Sequence, residues 1–269
     1  MHKILRYFVL SLAALVFIYP FLWMLSATLR PENEIGGLTL LPSQWTLANY
    51  AAVFQKIPLL RALANSLLVS LAVVASVLVF GSMTGFALAR LHFRGRSLIF
   101  LLVLLTMILP VQLTLIPLYI LMVKFGWLDT YLALIVPHGI NALGVLMFRQ
   151  AFKAIPQDVI DAARLDGAGE FGILFRIFWP LSLPTLITVA ILTFMGIWNE
   201  VLWPMLTIRK SELMVMPQLV ALFVTGGAAE SQLGVQLAAA TLLALPIVIA
   251  YAFFQKYFIA SLAATGLKE

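Results

Sequence analysis

Residues Leu63–Ala89 read LANSLLVSLAVVASVLVFGSMTGFALA and contain no Asp, Glu, Lys or Arg. As a helix rising 1.5 Å per residue, the run reaches about 40 Å, more than the ~30 Å hydrocarbon core of a bilayer. The same signal recurs outward from it, at Tyr7–Leu29, Leu98–Val123, Tyr131–Phe148, Thr185–Ile208 and Leu233–Phe254. Six such runs predict an all-α integral membrane protein with six transmembrane helices, forming one transmembrane domain over residues 1–269. Composition points the same way: 63% of the residues are hydrophobic and 10% are charged, against roughly 25% charged in a soluble domain. A soluble fold of this size could not hide that much apolar surface.

The net charge of +6 is distributed singly at the ends of apolar runs. It forms no stripe with interleaved aromatics, which argues for membrane orientation and against nucleic acid. With the N-terminus inside, the inner set is Lys3, Arg6, Arg90, Arg94, Arg96, Arg149, Lys153, Arg164, Arg176, Lys256 and Lys268. The outer set is Arg30, Lys56, Arg61, Lys124, Arg209 and Lys210. This 11-to-6 division of the 17 basic residues predicts that both termini are cytoplasmic. The first apolar run follows a basic start but exceeds the ~7–15 residues of a signal-peptide core, and no convincing small-x-small cleavage site follows, so an uncleaved first helix is expected. The absence of cysteine excludes disulfides and thiolate metal sites. His2, His92 and His138 are too scattered to suggest zinc.

Two outer loops are long: residues 30–62, with Pro31, Gly36, Gly37, Pro42 and Pro58, and residues 209–232, with a Gly226-Gly227-Ala228-Ala229 tip. The inner loop at 149–184 is the most informative. Pro156 suits the first turn of a helix, and Asp158 suits its positive end. The helix runs through Asp161-Ala162-Ala163-Arg164 to a stop at Gly167. A second helix begins near Glu170, with Phe171, Leu174, Phe175 and Phe178 on one apolar face and its end at Pro180. The loop is therefore expected to be a two-helix docking hairpin.

Asp161-Ala162-Ala163, then Gly167, then Ile177-Phe178-Trp179-Pro180 resembles the EAA loop of permease subunits in binding-protein-dependent ABC importers. In that pattern Glu-Ala-Ala is followed by three residues, Gly, nine residues, Ile, any residue and Leu-Pro. The spacing fits throughout, although Asp161 stands where Glu is usual and Trp179 where Leu is usual. Leu47-Ala48-Asn49-Tyr50, Gly85 to Arg90, Arg149-Gln150-Ala151-Phe152, Trp198-Asn199-Glu200 with Leu202-Trp203-Pro204, and the ending from Gln255 resemble the carbohydrate-uptake branch. The likeness is to the shorter permease of maltose-type and glycerol-phosphate-type importers.

The resemblance implies a type I importer permease fold in a bacterial or archaeal cytoplasmic membrane, carrying a sugar, polyol or glycerol-phosphate-like solute. It implies a second permease as partner (a homologue, giving a heterodimer), two ATPase subunits that bind the ATP, and an extracytoplasmic solute-binding protein. It also places ATPase docking on Asp161, Ala162, Ala163, Arg164, Asp166, Gly167, Ala168 and Pro180. No cofactor and no enzymatic chemistry are expected in this chain.

Gly167 to Gly172 spells G-x-G-x-x-G, but no strand precedes it, so it is no dinucleotide site. No G-x-x-x-x-G-K-[ST] occurs, so an ATPase would be another polypeptide. Gly81 and Gly85 are explained by close helix packing. Pro110 and Pro117, with Gln112 and Thr114 between them, mark either a simple kink or a broken helix lining a polar path.

Glu200 is the one carboxylate deep in a run, toward its outer third, and such residues are functional candidates. Asn199 would share a helical face with Met195, Gly196 and Trp203, a strip suited either to a sugar or to an inter-subunit seam. The substrate-pathway candidates are therefore Met195, Asn199, Glu200, Trp203 and Gln112. A self-sufficient secondary transporter or channel is the alternative, and one intramembrane carboxylate is thin support for its coupling-ion site. A membrane-embedded enzyme would need more than His138 and Asn141.

Overall fold

The computed structural model describes residues 2–36, 41–226 and 232–266, with side chains from 5 to 253 except 37–40, 227–231 and 250. Gly37, the Gly227-Ala228-Ala229 tip and Lys268 lie outside the described residues, as do the side chains of Lys3 and Lys256. Among the described residues there is no strand. The helices are α1 (His2–Thr28), α2 (Ala48–Lys56), α3 (Leu59–Arg90), α4 (Arg96–Ile108), α5 (Val111–Phe125), α6 (Tyr131–His138) and α7 (Ala142–Ala154). They continue with α8 (Gln157–Leu165), α9 (Glu170–Leu181), α10 (Leu183–Trp198), α11 (Leu202–Thr207), α12 (Met216–Thr225) and α13 (Leu233–Gly266).

Three stretches are long and apolar enough to cross a bilayer unaided: Leu5–Thr28 of α1, all 32 residues of α3, and Leu233–Phe253 of α13. The remaining apolar length is broken. α4 and α5 meet at 104°, α6 and α7 at 40°, and α9 and α10 at 87°. Three unbroken helices and three bent pairs allow six crossings.

By its internal packing the chain divides into two units, Met1–Leu63 with Met216–Ile249 and Ala64–Val215 with Ala250–Glu269. In the first, Ala27, Val53, Met216, Val220, Phe223, Val235 and Ala238 are buried. Asn49 holds the end of α1 by donating from Nδ2 to the carbonyls of Thr28 (3.0 Å) and Arg30 (2.8 Å), while the Tyr50 and Thr28 hydroxyls sit 2.9 Å apart. The Glu32 carboxylate accepts the N–H groups of Leu233 and Gly234 and so caps α13. Most α1 side chains from Leu5 to Leu22 are exposed and apolar, as contact with hydrocarbon would allow.

The second unit is built on α3 against α7. Phe86, Phe148, Phe152 and Phe178 are almost fully buried and stack edge-on or face-on at 5.1–6.4 Å. Gly85 permits the approach, since a Cβ there would sit 2.6 Å from Phe148 Cβ and 3.0 Å from the Arg149 nitrogen. At Gly81 the same atom would meet only ordinary contacts, 3.6 Å or more away. Gly85→Val is therefore expected to overpack this seam at a cost of about 1–3 kcal/mol, while Gly81→Ala is tolerated. Thermal unfolding of the detergent-solubilised protein checks both.

Three expected spans are not single helices. The Leu98–Val123 run breaks at Leu109, which takes the extended backbone (φ −70°, ψ 124°) demanded before Pro110. Pro117 stays inside an uninterrupted α5. The Tyr131–Phe148 run breaks at Gly139–Asn141, and α7 continues to Ala154. Here Asn141 caps α7 by accepting the Gly144 N–H at 2.6 Å, and Ser76 of α3 donates to the freed Gly139 carbonyl at 2.8 Å.

The Thr185–Ile208 run ends its first helix at Trp198. Asn199 turns its amide back onto the Met195 carbonyl (2.8 Å), and Glu200 accepts the Trp203 N–H (3.0 Å), so two polar side chains supply the backbone with an alternative to continuing. Pro204 then falls in the first turn of α11, where its missing N–H costs little. Asn199 and Trp203 therefore do not share one continuous helical face.

Candidate functional site

The 149–184 segment forms the hairpin α8–turn–α9. Pro156 precedes α8, and Gly167 adopts φ +80°, a conformation that glycine takes without strain. The Ala168 N–H reaches the Ala163 carbonyl at 2.9 Å and the Gly167 N–H reaches Arg164 at 3.0 Å, closing α8 with a Schellman turn. Arg164 spans the turn to Glu170 at 2.9 Å, a half-exposed pair that orients the hairpin more than it stabilises it. In α9 a π turn at Leu174–Phe178 lets the helix run past Pro180 to Leu181.

One side of the hairpin packs inward through Ile160, Ala163, Ile173, Leu174 and Phe178. The other side is uncovered. Asp161, Ala162, Arg164, Asp166, Gly167 and Pro180 are exposed, and Ala168 is half-buried. Leu165 is 89% exposed and Phe171 is 65% exposed. The expectation that Phe171 shares the packed face of Leu174 and Phe178 is thus corrected. It lies at the hairpin tip, before the π turn and beyond the reach of the chain's own core.

A second feature lies at the break between α6 and α7. A cavity of about 220 Å³ is lined by His138, Ile140, Asn141, Leu143, Thr193 and Gly196 among others. Its walls are mostly aliphatic, and Asn141 Nδ2 donates to Thr193 Oγ1 across it at 3.3 Å. Gly196 leaves it open, since a Cβ there would meet nothing within 4 Å. A neighbouring gap of about 20 Å³ lies among Ser66, Ser70, His138, Glu200 and Trp203, room for about one water. Trp203 is buried and donates from Nε1 to the Ala133 carbonyl at 2.8 Å.

Of the pathway candidates, then, Glu200 and Trp203 border the one-water gap. Met195, Asn199 and Gln112 border neither space, Asn199 and Gln112 being exposed.

Residues 78–263 match the family described as the inner membrane component of binding-protein-dependent transport systems. The chain belongs to that permease family. It is 37% identical over 95% of its length to the arabinooligosaccharides transport system permease protein AraQ of Halalkalibacterium halodurans, covering 92% of that protein. It is 31% identical to the diacetylchitobiose uptake system permease protein NgcG of Streptomyces coelicolor, over 92% of this chain and 83% of that one.

Among solved structures it superposes with TM-score 0.83 and 26% identity, over 96% of each chain, on a chain of a bacterial ABC transporter involved in the import of the acidic polysaccharide alginate. The fold is accordingly the all-helical one of ABC importer permeases, and the relatives named are transport proteins rather than enzymes.

Within this permease, sequence reasoning missed Asn141 and Thr193 as site residues. The signal available was Pro137-His138-Gly139-Ile140-Asn141, a helix breaker with an N-cap residue inside an apolar run. At the connection between α5 and α6, Asp129 Oδ1 accepts the N–H groups of Arg209 (2.6 Å) and Lys210 (2.9 Å). These bonds hold its carboxyl below the usual carboxylate range.

Proposed function

We propose that this permease forms one half of the pathway by which an ATP-driven importer moves an oligosaccharide or similar polyhydroxylated solute into the cytoplasm. The observation that carries the reading is the cavity at the α6–α7 break. Aliphatic walls suit the C–H faces of a sugar ring, and the Asn141 amide and Thr193 hydroxyl suit its hydroxyl groups. Broken helices at membrane depth belong where a polar path needs backbone that is not helical. The names of the relatives, which carry arabino-oligosaccharide and diacetylchitobiose, support the solute class.

A pair of ATPase subunits docks on the exposed side of the α8–α9 hairpin and binds the ATP. A homologous second permease completes the pathway, and an outer solute-binding protein delivers the cargo. Purification of the tagged chain in mild detergent is expected to bring down an ATPase and a second permease; a chain that purifies alone would contradict the reading. Six crossings with both termini inside follow from the charge division. Reporters fused at Arg96 and Glu170 should then read cytoplasmic and one at Thr46 outside, and a cytoplasmic signal at Thr46 would overturn that topology.

A further inference from the structure

At 32 residues, α3 is about 48 Å long, so it overreaches the ~30 Å apolar core of a bilayer. Its last residue, Arg90, projects its guanidinium into the junction between α7 and the docking hairpin. Nε and Nη2 donate to the Phe152 carbonyl at 3.0 and 2.6 Å, and Nη2 also reaches the carbonyls of Lys153 (3.3 Å) and Ile155. These are carbonyls at the C-terminal end of α7, where i to i+4 bonding runs out; that of Phe152 also accepts the Ile155 N–H at 3.4 Å. The partner Phe152 would take four residues on is Pro156, which has no N–H.

Arg90 Nη1 donates to Gln157 Oε1 (3.2 Å), and Gln157 Nε2 donates in turn to Asp161 Oδ1 (3.0 Å). The guanidinium also lies 5.8 Å from the Phe178 ring of α9. One planar cation therefore touches α7, α8 and α9 from the end of α3, and a hydrogen-bonded chain runs Arg90–Gln157–Asp161. A further polar link between α3 and α9 runs from Trp179 Nε1 to Ser82 Oγ at 3.0 Å.

We propose that Arg90 is the positioning residue that couples the docking hairpin to α3, so that displacement of the hairpin by the ATPase moves α3 and α7 with it. A forked guanidinium suits the task because several donors in one plane hold carbonyls and an amide of different elements at once. A lysine ammonium could keep one or two of these partners, but not the set. The inference rests on the docking reading above and adds to it the side chain through which the movement passes.

The test uses the assembled transporter in proteoliposomes, with its second permease, ATPases and binding protein. It compares Arg90→Gln, Arg90→Lys and Gln157→Leu. The readouts are the ATPase retained per permease, and the rate of ATP hydrolysis with the binding protein divided by the rate without it. In Arg90→Gln the ATPase should stay bound while that ratio falls about tenfold, the loss expected for removing a charge-assisted hydrogen bond. Gln157→Leu should lower the ratio less, and Arg90→Lys should restore part of it. An unchanged ratio in Arg90→Gln would overturn the proposal. So would loss of the ATPase from both Arg90→Gln and Gln157→Leu, which would make Arg90 an anchor and not a coupling residue. A wild-type chain that retains no ATPase would overturn the docking reading and this inference with it.

Discussion

Asp161→Lys is expected to release the ATPase from the permease. Asp161 is exposed on α8 and accepts a hydrogen bond from Gln157. Its carboxylate is therefore presented outward, beside the 89%-exposed Leu165. If a basic residue of the ATPase covers it, reversing the charge buries two like charges together. Loss of one partner from a buried pair already costs about 3–5 kcal/mol, enough to weaken assembly several-hundredfold. Gly167→Val should act at the same place by another route, because φ +80° is strained for a β-branched residue. Co-purification of the ATPase measures both variants, and binding-protein-stimulated hydrolysis at the wild-type rate in Asp161→Lys would rule the idea out.

Gly196→Leu is expected to abolish most uptake while leaving the complex intact. Gly196 lines the 220 Å³ cavity, and a Cβ there would meet no atom within 4 Å. Replacing a glycine inside a helix gains several tenths of a kcal/mol, so the fold should not suffer. Filling a binding space by a few methylenes costs a ligand about 10–200-fold, and the loss should show as uptake per assembled transporter. Asn141→Ala removes the cap of α7 as well as the polar contact, so it is less clean. Trp203→Ala should instead lower the yield of folded protein, because the indole is buried and bonded to the Ala133 carbonyl. Such truncations cost about 3–5 kcal/mol. Normal uptake by Gly196→Leu would remove the cavity from the pathway.

The apolar runs were legible because helix length and hydropathy are local properties. The hairpin was legible for a related reason: Pro156, Gly167 and Pro180 punctuate it, and the turn at Gly167 needs only its own residues. The breaks were harder to read. Pro110 and Pro117 look alike in the sequence, yet one ends a helix and the other sits within one. Only the first has an extended residue before it. Asn199 and Trp203 stand four residues apart and suggest a shared face, but Asn199, Glu200 and Pro204 together favour ending the helix.

The cavity could not be read locally, since it needs Asn141 of one span, Thr193 and Gly196 of another, and Val73 of α3 to meet. Arg90 counted in the sequence as one more inner positive charge, and its fork of carbonyl partners appears only when α3 and α7 are packed together.

Uptake of a radiolabelled oligosaccharide that the binding protein retains, into proteoliposomes holding the complete transporter with the binding protein outside, tests the account most directly. Vesicles with MgATP sealed inside should accumulate the sugar, and vesicles loaded with a non-hydrolysable analogue should not, whatever ion gradient is imposed. Equal accumulation with the analogue under a proton or sodium gradient would contradict ATP-driven import and favour a secondary transporter.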